Sequence, residues 1–369
     1  MEEDAPSPGR RVWPRKWGGL LGPFRHLRRE PVATKEDLHL SAEPSQPFEL
    51  ARPERTNPLR VLKPYAFGIF AVHVFALLAF VPYCFSWTGV VVGIAGHFVF
   101  GLLGMTLGYH RLLTHRGFTC PKWFEYTLAL LGVCCLQDAP ARWVAVHRKH
   151  HQHSDEQPDP HSPHVTFLWG HFGWLMVRNL EFETTAFYER YAKDLMSEVF
   201  YRRLERSGMW ALVYAIHAVL HFAAAWGVGW MLWHSEPAAT QFAVSILVWG
   251  VFVRTVFVWH VTWFVNSLAH LFGYRNYKTT DDSRNNWLVA LLSHGEGWHN
   301  NHHAEPRAAA HGHRAWELDM TWWAIRMLEV VGLAKNVVRP RAWRPAKPQA
   351  ARPAVREEAP EPAETVEQW

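Results

Sequence analysis

Charge is missing from two long stretches of this sequence. No Asp, Glu, Lys or Arg occurs from Pro64 to His110, and none from Ser207 to Ser235. A helix needs about 20 apolar residues to cross the hydrocarbon layer, so the first stretch is long enough for two crossings and the second for one. Cysteine is also scarce. Of four copies, Cys134 and Cys135 are adjacent and no CxxC pair occurs, which excludes a disulfide scaffold, a cysteine zinc site and an iron–sulfur cluster. The chain has no GxGxxG nucleotide loop and no HPGG haem segment, so any electrons it uses must be delivered by another protein. A net charge of +5 gives no reason to expect a nucleic acid partner.

What remains reads as membrane helix. Pro, Ser, Trp and Gly cluster from Pro82 to Gly89 inside the first apolar stretch, which predicts a hairpin with its turn there and Trp87 at the headgroups. A second hairpin is predicted from Ser207, with a turn at Glu236 to Thr240 and a further apolar run to Leu271. The expected fold class is an all-α integral membrane protein, with four transmembrane helices in two hairpins and a cytoplasmic helical cap. Twelve Lys and Arg lie in residues 1 to 63, and neither hairpin turn carries any. The basic side stays inside, so both termini, the segment 111 to 206 and everything after Leu271 are expected in the cytoplasm. For a bacterial chain the membrane would be the inner one. Trp123 to Gln137 is apolar but too short to span, and reads as a helix at the interface. Neither hairpin is N-terminal and neither ends in a small-residue cleavage site, so no removable signal peptide is expected. Residues 1–58, with the basic Trp-containing patch Arg11 to Trp17, read as a disordered leader, 59–338 as the functional domain, and 339–369 as a disordered tail.

Histidine is the abundant residue, with 24 copies. Four groups fall at the expected cytoplasmic ends of the spans: His110 and His115; His147, His150 and His151; His270, preceded by Asn266; and His299, His302 and His303. The two triplets have spacing i, i+3, i+4, which puts three imidazoles on one helix face. Packed together, such rings would repel if protonated, whereas neutral imidazole is the commonest metal ligand. His110 and His115 are five residues apart, about 140° around an ideal α-helix, so they converge only if the helix ends or bends there. Nine imidazoles exceed one tetrahedral zinc site and suit two ions of higher coordination, iron among them. Their ring N–H groups need acceptors; Asp138, Asp155, Asp159, Glu296 and Asp319 are the candidates. His73, His97, His217, His260 and His294 read as ordinary core or surface residues, and His161, His164, His171 and His311 as outside the ligand set. Arg254 falls inside a span, where it must be paired or line a cavity, and reads as structural.

HRLLTHRGF, WVAVHRKHHQHSDEQPDPHSPH, TWFVNSLAH and GEGWHNNHHAEPRAAAHG, in this order and between these hairpins, resemble the membrane fatty acyl desaturases, specifically their delta-9, stearoyl-CoA desaturase-like group. The resemblance covers residues 59 to 338. It implies a di-iron centre in the cap, with one iron on His110, His115, His147, His151 and His302. The other would take His150, His270, His299 and His303, with Asn266 holding a water. It also implies substrate contacts at Trp263, and at Phe98 and Leu102 as closers of the tunnel end. In animal members an Arg-Asp pair before the first histidine of the second box helps hold coenzyme A. Here those positions are Ala145 and Val146, which leaves the carrier open between acyl-CoA and acyl-lipid.

An unactivated methylene has no acidic proton, so general base, nucleophilic or zinc-hydroxide chemistry cannot begin its dehydrogenation. The expected reaction is an O2-dependent desaturation that leaves a cis double bond. It takes two electrons from a ferredoxin, or from a b-type cytochrome with its reductase. A related hydroxylase of fatty chains or alkanes is the alternative enzyme, and metal transport or storage the alternative without chemistry. Against the latter, no row of ionisable groups lines the spans.

Overall fold

The computed structural model describes residues 49–343 apart from Ser207, and the basic patch at Arg11 to Trp17 and the residues from 344 onward lie outside it. Among the described residues the structure is helical, with isolated bridges such as Val61 to Val177 and no strand. Among the described residues, four helices are long and apolar enough to cross a membrane: Lys63–Phe80, Trp87–Thr114, Met209–Trp233 and Glu236–Leu271. They are called here the first to fourth spans.

Local chemistry sets their ends. Pro64 and Pro237 stand in the first turns of the first and fourth spans, where a missing N–H costs nothing and φ is already helical. That preference corrects the expected turn at Glu236 to Thr240. These residues open the fourth span, and the chain reverses instead at His234, whose φ of 46° is left-handed. Ser86 caps the second span by accepting a hydrogen bond from Gly89 N at 2.9 Å, and its Oγ lies 2.7 Å from Ser245 Oγ on the fourth. Phe67, Phe70, Phe80, Trp87, Val91, Val219, Leu220 and Leu232 face outward and exposed. In water such a belt would be a liability; against lipid it is the required surface.

From His97 to Thr114 the second span winds more widely than an α-helix, with five-residue hydrogen bonding. His115 N continues this by donating to His110 O at 3.2 Å. Such winding is seen mostly as single turns near functional sites; here it occupies the whole approach to the histidines. Gly104 allows this segment to lie against helix Lys122–Val133, since a Cβ there would sit 2.6 Å from Gly132 N. Helix Pro140–His153 follows, and helices His299–Ala304 and Met320–Val330 complete the polar part. Residues 49–58, read from sequence as leader, are packed: Leu50 is buried with Val165 and Trp169, and its N–H donates to His164 O at 3.0 Å.

Arg254 is buried in the fourth span and paired. Nε donates to Gly250 O and Nη1 to Cys134 O, both at 3.0 Å, and the guanidinium lies 4.3 Å from the Phe100 ring centre. It ties the fourth span to the turn after helix Lys122–Val133.

Candidate metal centre and substrate cavity

The predicted histidines gather in two groups. In the first, one nitrogen from each of His110, His115, His147, His151 and His302 lies within 4.8 Å of all the others; His150, His270, His299 and His303 form the second on the same criterion. Within the first, the Nε2 atoms of His110 and His302 are 3.1 Å apart, and those of His302 and His151 2.9 Å. Within the second, His270 Nε2 is 2.9 Å from His299 Nε2. The groups adjoin, with the rings of His151 and His303 4.4 Å apart. Each i, i+3, i+4 triplet therefore divides between two centres: His147 and His151 against His150, and His302 against His299 and His303. This is the division the resemblance implies. Wide winding brings His110 and His115 together, because residue i+5 returns close to residue i when hydrogen bonds run from i to i+5.

Carboxylates fix four of the rings. His110 Nδ1–H donates to Glu296 Oε2 at 2.5 Å, His150 Nδ1–H to Asp159 at 3.0 Å, His270 Nδ1–H to Asp155 Oδ2 at 2.7 Å, and His303 Nδ1–H to Asp281 Oδ2 at 2.6 Å. In each, the lone pair is left on Nε2, aimed into the group. Asp281 has no signal in the spacing, since its partner lies twenty-two positions on and only the folded loop brings them together. Two carboxylates expected near the rings serve elsewhere. Asp319 receives Arg111 at 2.9 Å and Asp138 lies beside Arg142 at 3.3 Å.

Burial, reinforced by neighbouring rings, holds His147, His151, His299 and His302 well below the ordinary imidazole value. Burial takes His303 down to about 4 against the pull of Asp281. Burial would raise Asp155, but His270 beside it keeps it far below the carboxylate range. His147, His151, His299, His302 and His303 are thus neutral donors at neutral pH, and Asp155 is anionic. His115 Nε2 and His303 Nε2 are buried without a hydrogen-bond partner. Converging lone pairs, orphaned nitrogens and braced tautomers are the donor set of a first-row transition metal site, and the residues fit two such ions.

A cavity of about 570 Å³ leads to the first group, lined by Leu136, Gln137, Trp143, Val146, His147, Trp174, Trp259, Trp263 and Asn266 among others. A smaller one, of about 50 Å³, continues past it and shares Trp143, His147, Thr262 and Asn266 with the larger. Asn266 thus stands on the wall between them. Gln137 Nε2 donates to Thr262 Oγ1 at 3.1 Å across the same wall. Trp263, 4% exposed, lines the larger cavity. Phe98 and Leu102 line neither: Phe98 is 45% exposed and Leu102 packs into the core. The face toward the smaller cavity is His97, Gly101, Met105, Thr106 and His110, a recurrence of four to five residues that follows the wide winding. Counting back from His110 at the α-helical period of 3.6 misses that register.

The fold and these groups define a helical membrane protein with two adjoining histidine groups able to hold metal, the first of them at the wall of an apolar cavity. Residues 85–329 match the fatty acid desaturase family model. The chain is 43% identical over 266 residues to the sn-1 stearoyl-lipid 9-desaturase of Anabaena variabilis, an alignment that covers 72% of this chain and 90% of that one. It is 41% identical over 294 residues to the sn-2 palmitoyl-lipid 9-desaturase of Nostoc sp. (strain 36), covering 79% and 95%. With the icosanoyl-CoA 5-desaturase of Limnanthes douglasii it shares 40% over 266 residues, covering 72% and 69%. The chain belongs to the fatty acid desaturase family.

Proposed function

We propose that this fatty acyl desaturase introduces a cis double bond at carbon 9 of a saturated chain esterified in membrane lipid. It would act with two irons, one in each histidine group, with O2, and with two electrons per turnover from a ferredoxin or a b-type cytochrome and its reductase. The observation that carries the reading is that the first of two adjoining, braced imidazole groups meets the wall of an apolar cavity through His110 and His147. Irons held there supply oxygen activation, the chemistry that an unactivated methylene requires. The protein's own part is placement. Trp143, Trp259 and Trp263 line a channel that excludes water and holds one stretch of chain beside His147 and Asn266, which matters because adjacent methylenes are chemically almost identical. Asn266, a weaker donor than imidazole, is suited to hold a water near the second group.

The cap, the histidines and both termini are assigned to the cytoplasm, on the strength of the basic residues before the first span. Buried Ala145 and Val146, where animal members have the coenzyme A pair, favour lipid as carrier, as do the acyl-lipid relatives. The test is expression in a host supplied separately with stearoyl-CoA and with stearoyl glycerolipid, followed by mass analysis. A loss of two hydrogens at C9 in the lipid pool is expected. An added oxygen would instead identify a hydroxylase, and product from the CoA ester alone would overturn the carrier.

A further inference from the structure

The larger cavity reaches the starts of two spans. Its lining starts with Pro64, Tyr65 and Gly68 in the first turns of the first span, and with Gly208, Trp210 and Ala211 at the start of the third. The ends of spans lie at the level of lipid headgroups and their esters. A Cβ built at Gly68 or Gly208 would meet nothing within 4 Å, so neither glycine is packed against a neighbour, and the two spans touch at this level through Tyr65 and Trp210, whose rings lie 5.9 Å apart. A carrier dissolved in the cytoplasm has no use for a cavity that ends there; a lipid in the bilayer has.

One cation stands among the lining residues, Arg142. Its Nε lies 3.3 Å from Asp138 Oδ2 without the alignment of a hydrogen bond, and the atom is buried with no hydrogen-bond partner. The guanidinium lies over the rings of Tyr65 and Phe182, at 5.4 and 5.7 Å. Tyr65 in turn donates its hydroxyl hydrogen to Asp138 Oδ1. Two rings and a carboxylate hold the planar fork in place without using up its donors. An arginine kept in this way is built to receive oxygen acceptors, and a buried donor without one is unfavourable until a ligand supplies it.

Arg142 and the metal-site rings share helix Pro140–His153. At 1.5 Å per residue, His147 is about 7.5 Å and His150 about 12 Å further along the axis. Carbon 9 of an acyl chain is eight bonds from its ester carbonyl, about 10 Å in a fully extended chain. The first two distances bracket the third.

Resting on the acyl-lipid reading above, we propose that a glycerolipid inserts its acyl chain sideways between the first and third spans. Arg142, seated on Asp138 and Tyr65, receives the ester carbonyl, so that the double bond is counted from the ester end.

The test uses the full chain in nanodiscs and a phosphatidylcholine with a nitroxide on its sn-1 stearoyl chain. Immobilisation of the label reports binding without turnover, and product mapping reports position. Wild type should immobilise the label, and Arg142→Gln should weaken binding about tenfold and spread the double bond over neighbouring carbons. Arg142→Lys should recover much of the affinity. Gly68→Phe, away from the ion pair, should block that entry and abolish immobilisation. Wild-type binding and positioning in Arg142→Gln, or unchanged lipid binding in Gly68→Phe, would overturn the proposal while leaving the acyl-lipid reading intact. If wild type desaturates only the CoA ester, the acyl-lipid reading fails first, and this inference with it.

Discussion

Replacing Asp155 by Asn removes one charge from the centre and almost no volume. The carboxylate accepts three hydrogen bonds: His270 Nδ1–H at 2.7 Å and Asp282 N at 2.9 Å on Oδ2, and Ser162 Oγ at 2.8 Å on Oδ1. An asparagine with its amide oxygen in the Oδ2 position keeps the first two, and the serine hydroxyl can turn to accept from the new NH2. The fold should survive. What is lost is the anionic character of the bond to His270, which lowers the basicity of Nε2 toward the second group. A charged hydrogen bond contributes roughly 1 kcal/mol more than a neutral one, and loss of such a brace typically weakens metal binding about 10- to 100-fold. The assay is iron titration of metal-stripped protein. One ion should bind as in wild type, in the group braced by Glu296, and the other about 10- to 100-fold more weakly. Two ions bound with unchanged affinity would refute the view that His270 is a ligand oriented by Asp155.

Three further outcomes follow from the same contacts. His150→Ala removes a nitrogen of the second group and should abolish desaturation and halve the iron content, with membrane insertion intact; turnover near the wild-type rate would contradict the assignment. Gly104→Val places side-chain atoms on the backbone of Gly132 and should lower Tm by roughly 5 °C through overpacking, with light-scattering or dye-binding melts as the check. Burial pushes Glu205 up to about 7, against the hydrogen bond it accepts from Arg142 N. The folded protein therefore holds that proton more tightly than the unfolded chain, a contribution complete below about pH 4.5 and lost as pH rises to about 7. Glu205→Gln should match wild type in stability near pH 4.5 and exceed it by up to about 3 kcal/mol at about pH 8; equal melting at both pH values would show that the carboxyl is not strained.

Much of the fold is legible in the sequence because membrane helices announce themselves by the absence of charge, and because three imidazoles crowded on one helix face suit a metal ion and little else. Three features are hidden for physical reasons. The partition of each triplet between two centres comes from the resemblance alone, because it depends on where neighbouring helices lie, which periodicity does not encode. Asp281 reaches His303 from a loop whose path only tertiary packing determines. The register of the second span is hidden because five-residue winding has no compositional mark; His97 and Gly101 face the smaller cavity, where the resemblance implies Phe98 and Leu102. The second hairpin turn is the reverse case. Pro237 is a sufficient local signal for a helix start, and reading Glu236 to Thr240 as helix-breaking gives it the wrong sense.

On the proposed reading, nine imidazoles hold two irons beneath the membrane-spanning helices. Anomalous diffraction collected on either side of the iron edge, from protein purified out of cells supplied with both iron and zinc, addresses it directly. Two iron peaks are predicted, one among His110, His115, His147, His151 and His302, the other among His150, His270, His299 and His303. A single peak, or zinc at both positions, would contradict the account.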